Sequence, residues 1–188
     1  EKNISFSFIR PDWFHYKSGD YIYINCPWIS KLEWYPFNII STSNSDSVFL
    51  NIKANGPWPE KIYKKTISML NQKSIDRLRI RIDGPYGSSS DKILNTENLI
   101  IVAAGAGVAK FASIMQDIAY REKLNNIKSS VRRLYFIWLS DNNFYLEWFK
   151  KLLNELGNDF KLDFFDYNIF FIDRVFFIGK KIDKKIFP

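Results

Sequence analysis

Cysteine is almost missing from this chain. Cys26 is alone, so no internal disulfide and no cysteine metal cluster can form. Histidine is equally scarce: His15 stands by itself in the loop-like run Trp13-Phe14-His15-Tyr16-Lys17-Ser18-Gly19. One imidazole builds neither a zinc site nor a bis-histidine haem site. No metal ligand and no catalytic side chain are assigned. Long apolar runs are missing too. The longest, from Leu99 to Met115, is interrupted by glycines and Lys110 and falls short of a membrane span. Acidic residues do not balance the bases, and the net charge is +7. The bases come as scattered pairs (Lys64-Lys65, Arg132-Arg133, Lys150-Lys151, Lys180-Lys181, Lys184-Lys185) mixed with acids. That pattern describes a solvated surface, not a nucleic-acid stripe, and no nucleic-acid partner is expected. A first residue of Glu1, not Met, reads as a fragment, and a leader upstream is neither visible nor excluded.

Core-forming residues are plentiful. A hydrophobic fraction of 46% with 18% aromatics over 188 residues fills one large domain or two small ones and argues against disorder. The chain is organised around residues 99–113. Leu99-Ile100-Ile101-Val102-Ala103-Ala104 is an unbroken apolar run of the buried-strand kind. It turns through Gly105-Ala106-Gly107, after which Val108, Phe111, Ala112, Met115 and Ile118 recur at helical spacing. Strand, glycine turn and helix suit a dinucleotide pyrophosphate, because glycines let the backbone approach and the helix start offers N–H groups. The third fingerprint glycine is replaced by Lys110, so the same residues also fit a tight packing turn.

The first half reads as strands at 4–10, 21–25, 36–42, 48–54 and 78–82, with a helix over 60–71 and turn chemistry at Asp83-Gly84-Pro85-Tyr86-Gly87. This predicts a small antiparallel barrel or sandwich. The second half alternates: strand 99–104, helix 108–124, strand 131–139, helix from about 143 to 156, strand 174–178 and a Lys-rich helical tail. Such alternation predicts a parallel sheet. The polar stretch Ser88–Asn98 marks the break, giving domains 1–94 and 95–188. The fold class is β plus α/β, an arrangement that fits a flavin domain followed by a nicotinamide domain.

Several runs sharpen this. Tyr21-Ile22-Tyr23-Ile24-Asn25-Cys26-Pro27-Trp28-Ile29-Ser30 is followed by Leu32-Glu33-Trp34-Tyr35-Pro36-Phe37-Asn38, and later by Ile82-Asp83-Gly84-Pro85-Tyr86-Gly87. Gly105-Ala106-Gly107-Val108, Phe111-Ala112-Ser113, Trp138 and Glu147-Trp148-Phe149 complete the series in order. Together they resemble the cytosolic dehydrogenase portion of the NADPH oxidase family, which is related to ferric reductases and ferredoxin reductases.

The resemblance implies a ferredoxin reductase-type antiparallel β-barrel for FAD and a shortened Rossmann-like domain for NAD(P)H. For FAD it implies Tyr35, Pro36, Phe37 and Asn38, where the family reads His-Pro-Phe-Thr. It adds Asn51, Ile52 and Lys53 for His-Ile-Arg, and Gly56 and Trp58 in Gly56-Pro57-Trp58-Pro59 for Gly-x-Trp-Thr. Lys53 keeps the charge of Arg without its fork. For NAD(P)H it implies Asp83, Gly84, Pro85, Tyr86 and Gly87, then Gly105, Ala106, Gly107, Val108 and Lys110. Ser140 and Asp141 stand for Cys-Arg, and Gly179, within Ile178-Gly179-Lys180, for Cys-Gly-Pro. The Arg meets a 2′-phosphate, so Asp141 predicts weak discrimination against NADH or a preference for it. Asp141 equally suits a helix cap.

By the same resemblance, electrons leave through haems of an upstream transmembrane domain, with this portion on the cytosolic face of the membrane. The acceptor is oxygen, giving superoxide, or ferric iron. The family's terminal aromatic segment has no counterpart here. The substitutions at Tyr35, Lys53, Pro59, Lys110 and Ile178 also fit a degenerate flavin- or partner-binding module with little turnover.

Overall fold

The computed structural model describes residues 2–87, 89–123, 130–140, 149, 152–154, 165–171 and 177–179. The chain divides into two compact units, Glu1–Ser88 and Ser89–Pro188.

In the first unit, β1 (Asn3–Ile9) and β4 (Ser47–Lys53) pair antiparallel along their whole length, from Asn3 opposite Lys53 to Ile9 opposite Ser47. β2 (Tyr21–Asn25) is the middle strand of a second antiparallel sheet, between β3 (Tyr35–Asn38) and β5 (Arg81–Tyr86). Period-two alternation turns Ile4, Ile22, Ile24, Val48, Leu50 and Ile52 into one core. β3 stops at Asn38, short of the expected 42. Ile39 N–H then bonds the Asp20 carbonyl, while Ile40 N–H bonds the Phe49 carbonyl beside β4. The chain thus passes from one sheet to the other, and the expected barrel is present as two bridged sheets around a shared core.

α1 (Pro57–Asn71) closes that core with Trp58, Ile62, Thr66 and Met69, which repeat every three or four residues. Proline suits its first position, where an N–H has no helical partner. β5 departs from expectation: the turn predicted at 83–87 is strand as far as Tyr86. Tyr21 faces Tyr86 and Tyr23 faces Asp83, so β5 carries one extra residue there, a bulge. Gly84 permits it with φ +130°, a conformation that L side chains rarely adopt.

In the second unit, β6 (Asn98–Ala104), α2 (Val108–Lys123) and β7 (Arg133–Ser140) form a parallel crossover unit. Val108, Ala112, Met115, Ile118 and Ala119 of α2 are buried. β8 (Phe165–Phe171) extends the sheet in parallel, and β9 (Phe177–Gly179) ends it antiparallel, in the order β6-β7-β8-β9. β8 was not anticipated, and the last strand was expected to be parallel. A parallel return needs a crossover of about a dozen residues or more. β8 ends at Phe171 and β9 begins at Phe177, which leaves room only for an antiparallel return. Of the helix expected near 143–156, Phe149 and residues 152–154 are described and are helical. The predicted tail helix lies outside the described residues.

Among the described residues, no helix is long and apolar enough to cross a membrane, and no cluster of histidine, cysteine or carboxylate is placed to hold a metal. Burial pushes the Cys26 thiol up, which fits a packing residue and not a reactive thiolate.

Candidate cofactor sites

The first site forms where β3 meets the start of α1. The pleat divides Tyr35-Pro36-Phe37-Asn38. Tyr35 and Phe37 oppose Ile24 and Ile22 and share their face, whereas Pro36 and Asn38 oppose Tyr23 and Tyr21 on the other. On the inner face the Tyr35 ring stacks on Trp58, centroids 4.7 Å apart and planes at 15°, and Phe37 lies tilted at 6.1 Å from the same indole. Gly56, with φ +105°, precedes α1, and β4 delivers Lys53 three residues before it. Tyr35 and Phe37 of β3 and Trp58 of α1 therefore converge on one region, and Lys53 and Gly56 lie on the segment that leads from β4 into α1.

Trp58 is 1% exposed, yet its Nε1 has no hydrogen-bond partner. A buried donor without an acceptor costs about 1–3 kcal/mol, which a ligand oxygen would relieve. This orphan donor fits a group with phosphate and ring oxygens, such as FAD. The main chain offers less than a usual helix start. Pro57 and Pro59 carry no N–H and the Glu60 N–H is bonded to the Gly56 carbonyl, which leaves Trp58 to present its own.

One residue of the expected set, Ile52, presents no side chain to a ligand. Ile52 is fully buried opposite Ile4, because β4 alternates and its even positions face the core. Asn51 faces Ser5, whose hydroxyl donates to its Oδ1 at 2.7 Å.

Asn38 belongs to a different surface. It opposes Tyr21, which stacks on Tyr86 at 5.7 Å, and Tyr23 meets the same Tyr86 ring edge-on at 5.5 Å. The Tyr86 hydroxyl donates to Asp83 Oδ2 at 2.7 Å. That bond, then desolvation and the Asp83 charge, push the Tyr86 phenol up. This tyrosine shelf had no signal in the sequence beyond the alternation of Tyr21 and Tyr23. Gly84 answers a packing need, since a Cβ there would lie 3.2 Å from Ile22 Cγ2; at Gly87 a Cβ would meet nothing within 4 Å.

The second unit holds the glycine turn. Gly105–Gly107 is one 3-10 turn between β6 and α2, entered with φ +47° at Gly105. Trp138, fully buried on β7, donates its Nε1 to the Gly105 carbonyl at 3.2 Å. In the sequence Trp138 stands out only as a family landmark, and nothing local to it signals that it holds the turn. At Gly107 a Cβ would meet no heavy atom within 4 Å, so the protein's own packing does not demand glycine there. The open space ahead of a helix start fits a pyrophosphate approaching the backbone.

Val108 is fully buried, which limits it to a main-chain role, while Lys110 is half-buried one turn into α2. Ala104 opposes Leu139, so the turn and Ser140 sit at the same C-terminal edge of the parallel strands. Gly179 does not reach that edge. It pairs with Asn168, which is level with Ile137, because β9 runs antiparallel into the sheet. Asp141 lies outside the described residues.

Comparison with known proteins agrees with both halves. Residues 1–90 match the FAD-binding domain model, and residues 96–174 match the ferric reductase NAD binding domain model. The chain belongs to the NADPH oxidase and ferric reductase family. It is 34% identical over 166 residues to NADPH oxidase 1 of Mus musculus, covering 86% of this chain and 27% of that protein. It is also 34% identical over 158 residues to a superoxide-generating NADPH oxidase heavy chain from Dictyostelium discoideum, covering 79% of this chain and 31% of that one. The chain thus spans under a third of these relatives. Among solved structures, a ferredoxin NADP+ reductase from Neisseria gonorrhoeae, with bound FAD and NADP, superimposes with a TM-score of 0.61 at 15% identity, covering 93% of this chain and 64% of its own. The fold is ferredoxin reductase-like, and the chain carries the FAD- and NAD-binding domains of its family.

Proposed function

We propose that this chain is the electron-input portion of a superoxide-generating NADPH oxidase. Residues 1–94 bind FAD and residues 95–188 bind the reduced nicotinamide. In the longer protein, electrons continue through membrane haems to oxygen, with this portion on the cytosolic face. The observation that carries the reading is the order of the two matched domains along one chain, together with 34% identity to oxidases. The ferric reductase description of the second match supports ferric iron as the alternative acceptor, with the same electron input.

Bound flavin supplies the exchange between a hydride donor and one-electron acceptors. This chain's residues orient and shield. Tyr35, Phe37 and Trp58 form an apolar aromatic wall, Trp58 Nε1 donates a hydrogen bond and Lys53 neutralises phosphate charge. Gly105–Gly107 and the start of α2 receive the nucleotide pyrophosphate, with Lys110 adding charge. No side chain has to move a proton during hydride transfer, so alignment and exclusion of water are the demands on the protein. Asp141, where the family has Arg, would repel a 2′-phosphate by about 1 kcal/mol at contact distance even in bulk water, and would accept a bond from a free 2′-hydroxyl.

The test is titration of the purified chain with FAD, followed by flavin fluorescence. A saturable change is expected, and Lys53→Ala should weaken it by about 1–3 kcal/mol, roughly 5- to 150-fold. No saturation at high micromolar FAD would overturn the reading. The loaded chain should then bleach with NADH only slightly less readily than with NADPH, or more readily, measured as rate constant over dissociation constant. A strong NADPH preference that survives Asp141→Ala would remove Asp141 from the site.

A further inference from the structure

We infer that the loop over residues 26–34 is a bilayer anchor, which lays Trp28, Leu32 and Trp34 into the headgroup region of an anionic lipid surface. The loop has a fixed shape. Asn25, fully buried at its base, donates from Nδ2 to the Ser30 carbonyl at 2.9 Å and to the Glu33 carbonyl at 2.7 Å. Ile29 and Ser30 N–H groups both bond the Cys26 carbonyl, at 2.9 and 3.1 Å. A buried amide and a shared carbonyl thus hold a surface loop in one conformation.

That conformation displays apolar groups. Trp28 is 56% exposed, Leu32 88% and Trp34 39%. Neither of the two cofactor sites uses these side chains. Large apolar residues gathered on one surface loop mark a place of contact. The surrounding charge indicates the contact's nature. Lys31 is exposed between Trp28 and Leu32. Lys65 of α1 sits over the Trp28 ring, with Nζ 4.6 Å from its centroid. On the same helix Lys61, one turn before Lys65, and the adjacent Lys64 are exposed. Glu33 and Glu60 are the nearby acids in sequence, and Glu60 pairs with Lys64 at 4.0 Å. Positive charge predominates around the indoles.

Indole beside lysine is the combination that suits a membrane interface. The ring sits at headgroup level, the aliphatic side chain goes deeper and the ammonium groups meet lipid phosphates. A cation already resting on Trp28 keeps charge and ring together as they leave bulk water. Binding to a bilayer needs no flavin and is measured separately from the FAD titration, so either reading can fail alone.

The test uses the whole chain with phosphatidylcholine vesicles, with and without phosphatidylserine, some carrying acyl chains brominated as tryptophan quenchers. Co-sedimentation with the phosphatidylserine vesicles is expected, together with quenching. Leu32→Asp, at an exposed position that leaves the core intact, should lower partitioning about tenfold and remove most of the quenching. Lys31→Glu should weaken binding to the anionic vesicles while leaving far-UV circular dichroism unchanged. Salt-reversible adsorption without quenching, identical in Leu32→Asp, would reduce the effect to net charge and overturn the proposal. Absence of binding would also overturn it, leaving the loop as a patch for a protein partner.

Discussion

Replacement of Trp58 by alanine should cost about 3–5 kcal/mol of unfolding free energy, the range for removing a buried large aromatic side chain. The indole is 1% exposed, stacks on Tyr35 and lies in the same core as Ile22, Leu50 and Ile62. Urea unfolding followed by circular dichroism measures this loss. Trp58→Ala by itself cannot separate packing from ligand contact, because it removes both. Trp58→Phe keeps an aromatic ring in the core, deletes the unpartnered Nε1 donor and leaves a small cavity where the rest of the indole lay. In the free protein the relief of an unsatisfied donor and the cost of the cavity oppose each other, so the loss of stability should stay well below that of Trp58→Ala. In the FAD complex the substitution should weaken binding by about 1.5–3 kcal/mol, if Nε1 donates to an anionic oxygen. Equal FAD affinity in Trp58→Phe and the parent would assign Trp58 to the core alone.

Trp138 should behave in the opposite way. Its Nε1 is already engaged with the Gly105 carbonyl at 3.2 Å, and its ring packs tilted on Phe149 with centroids 5.2 Å apart. Trp138→Ala should destabilise by about 3–5 kcal/mol through the cavity it leaves. Trp138→Phe retains the ring contact and leaves the Gly105 carbonyl without its donor, at a cost of about 1–3 kcal/mol. A loosened glycine turn should then bind nucleotide less well. Calorimetric titration with NADP+ is expected to show a dissociation constant raised about tenfold, in excess of any change in FAD affinity. An unchanged nucleotide affinity in Trp138→Phe would mean that β6 and α2 hold the turn without help.

The contrast between the two tryptophans illustrates how much of the site is legible in the sequence. Trp58 stands in a run that points to FAD, but its Tyr35 partner comes from another strand and its orphaned donor appears only in the packed core. Trp138 carries no local signal for its role, because its acceptor lies 33 residues away. The four residues 35–38 look like one motif. The pleat assigns Tyr35 and Phe37 to the α1 side and Asn38 to the tyrosine side, and pairing register decides which residue goes where.

Elements whose signal is local can be read from the residues alone. Alternation over 4–10 and 48–54 foretold β1 and β4, the apolar run at 99–104 foretold β6, and helical spacing after Gly107 foretold α2. Side-chain period is a property of a few neighbouring residues and survives without knowledge of partners. The runs of residues shared with a family supplied the order of the two cofactor domains in the same way. Pairing between distant segments settled the rest. It took β5 through Asp83–Tyr86 as a bulged strand where turn residues predicted a stop, because β2 was there to pair with it. It set β9 antiparallel, which withdrew Gly179 from the edge that holds Gly105 and Ser140. Strand direction and register depend on which partner is within reach and on the chain length between them, and neither is written in the residues of the strand itself.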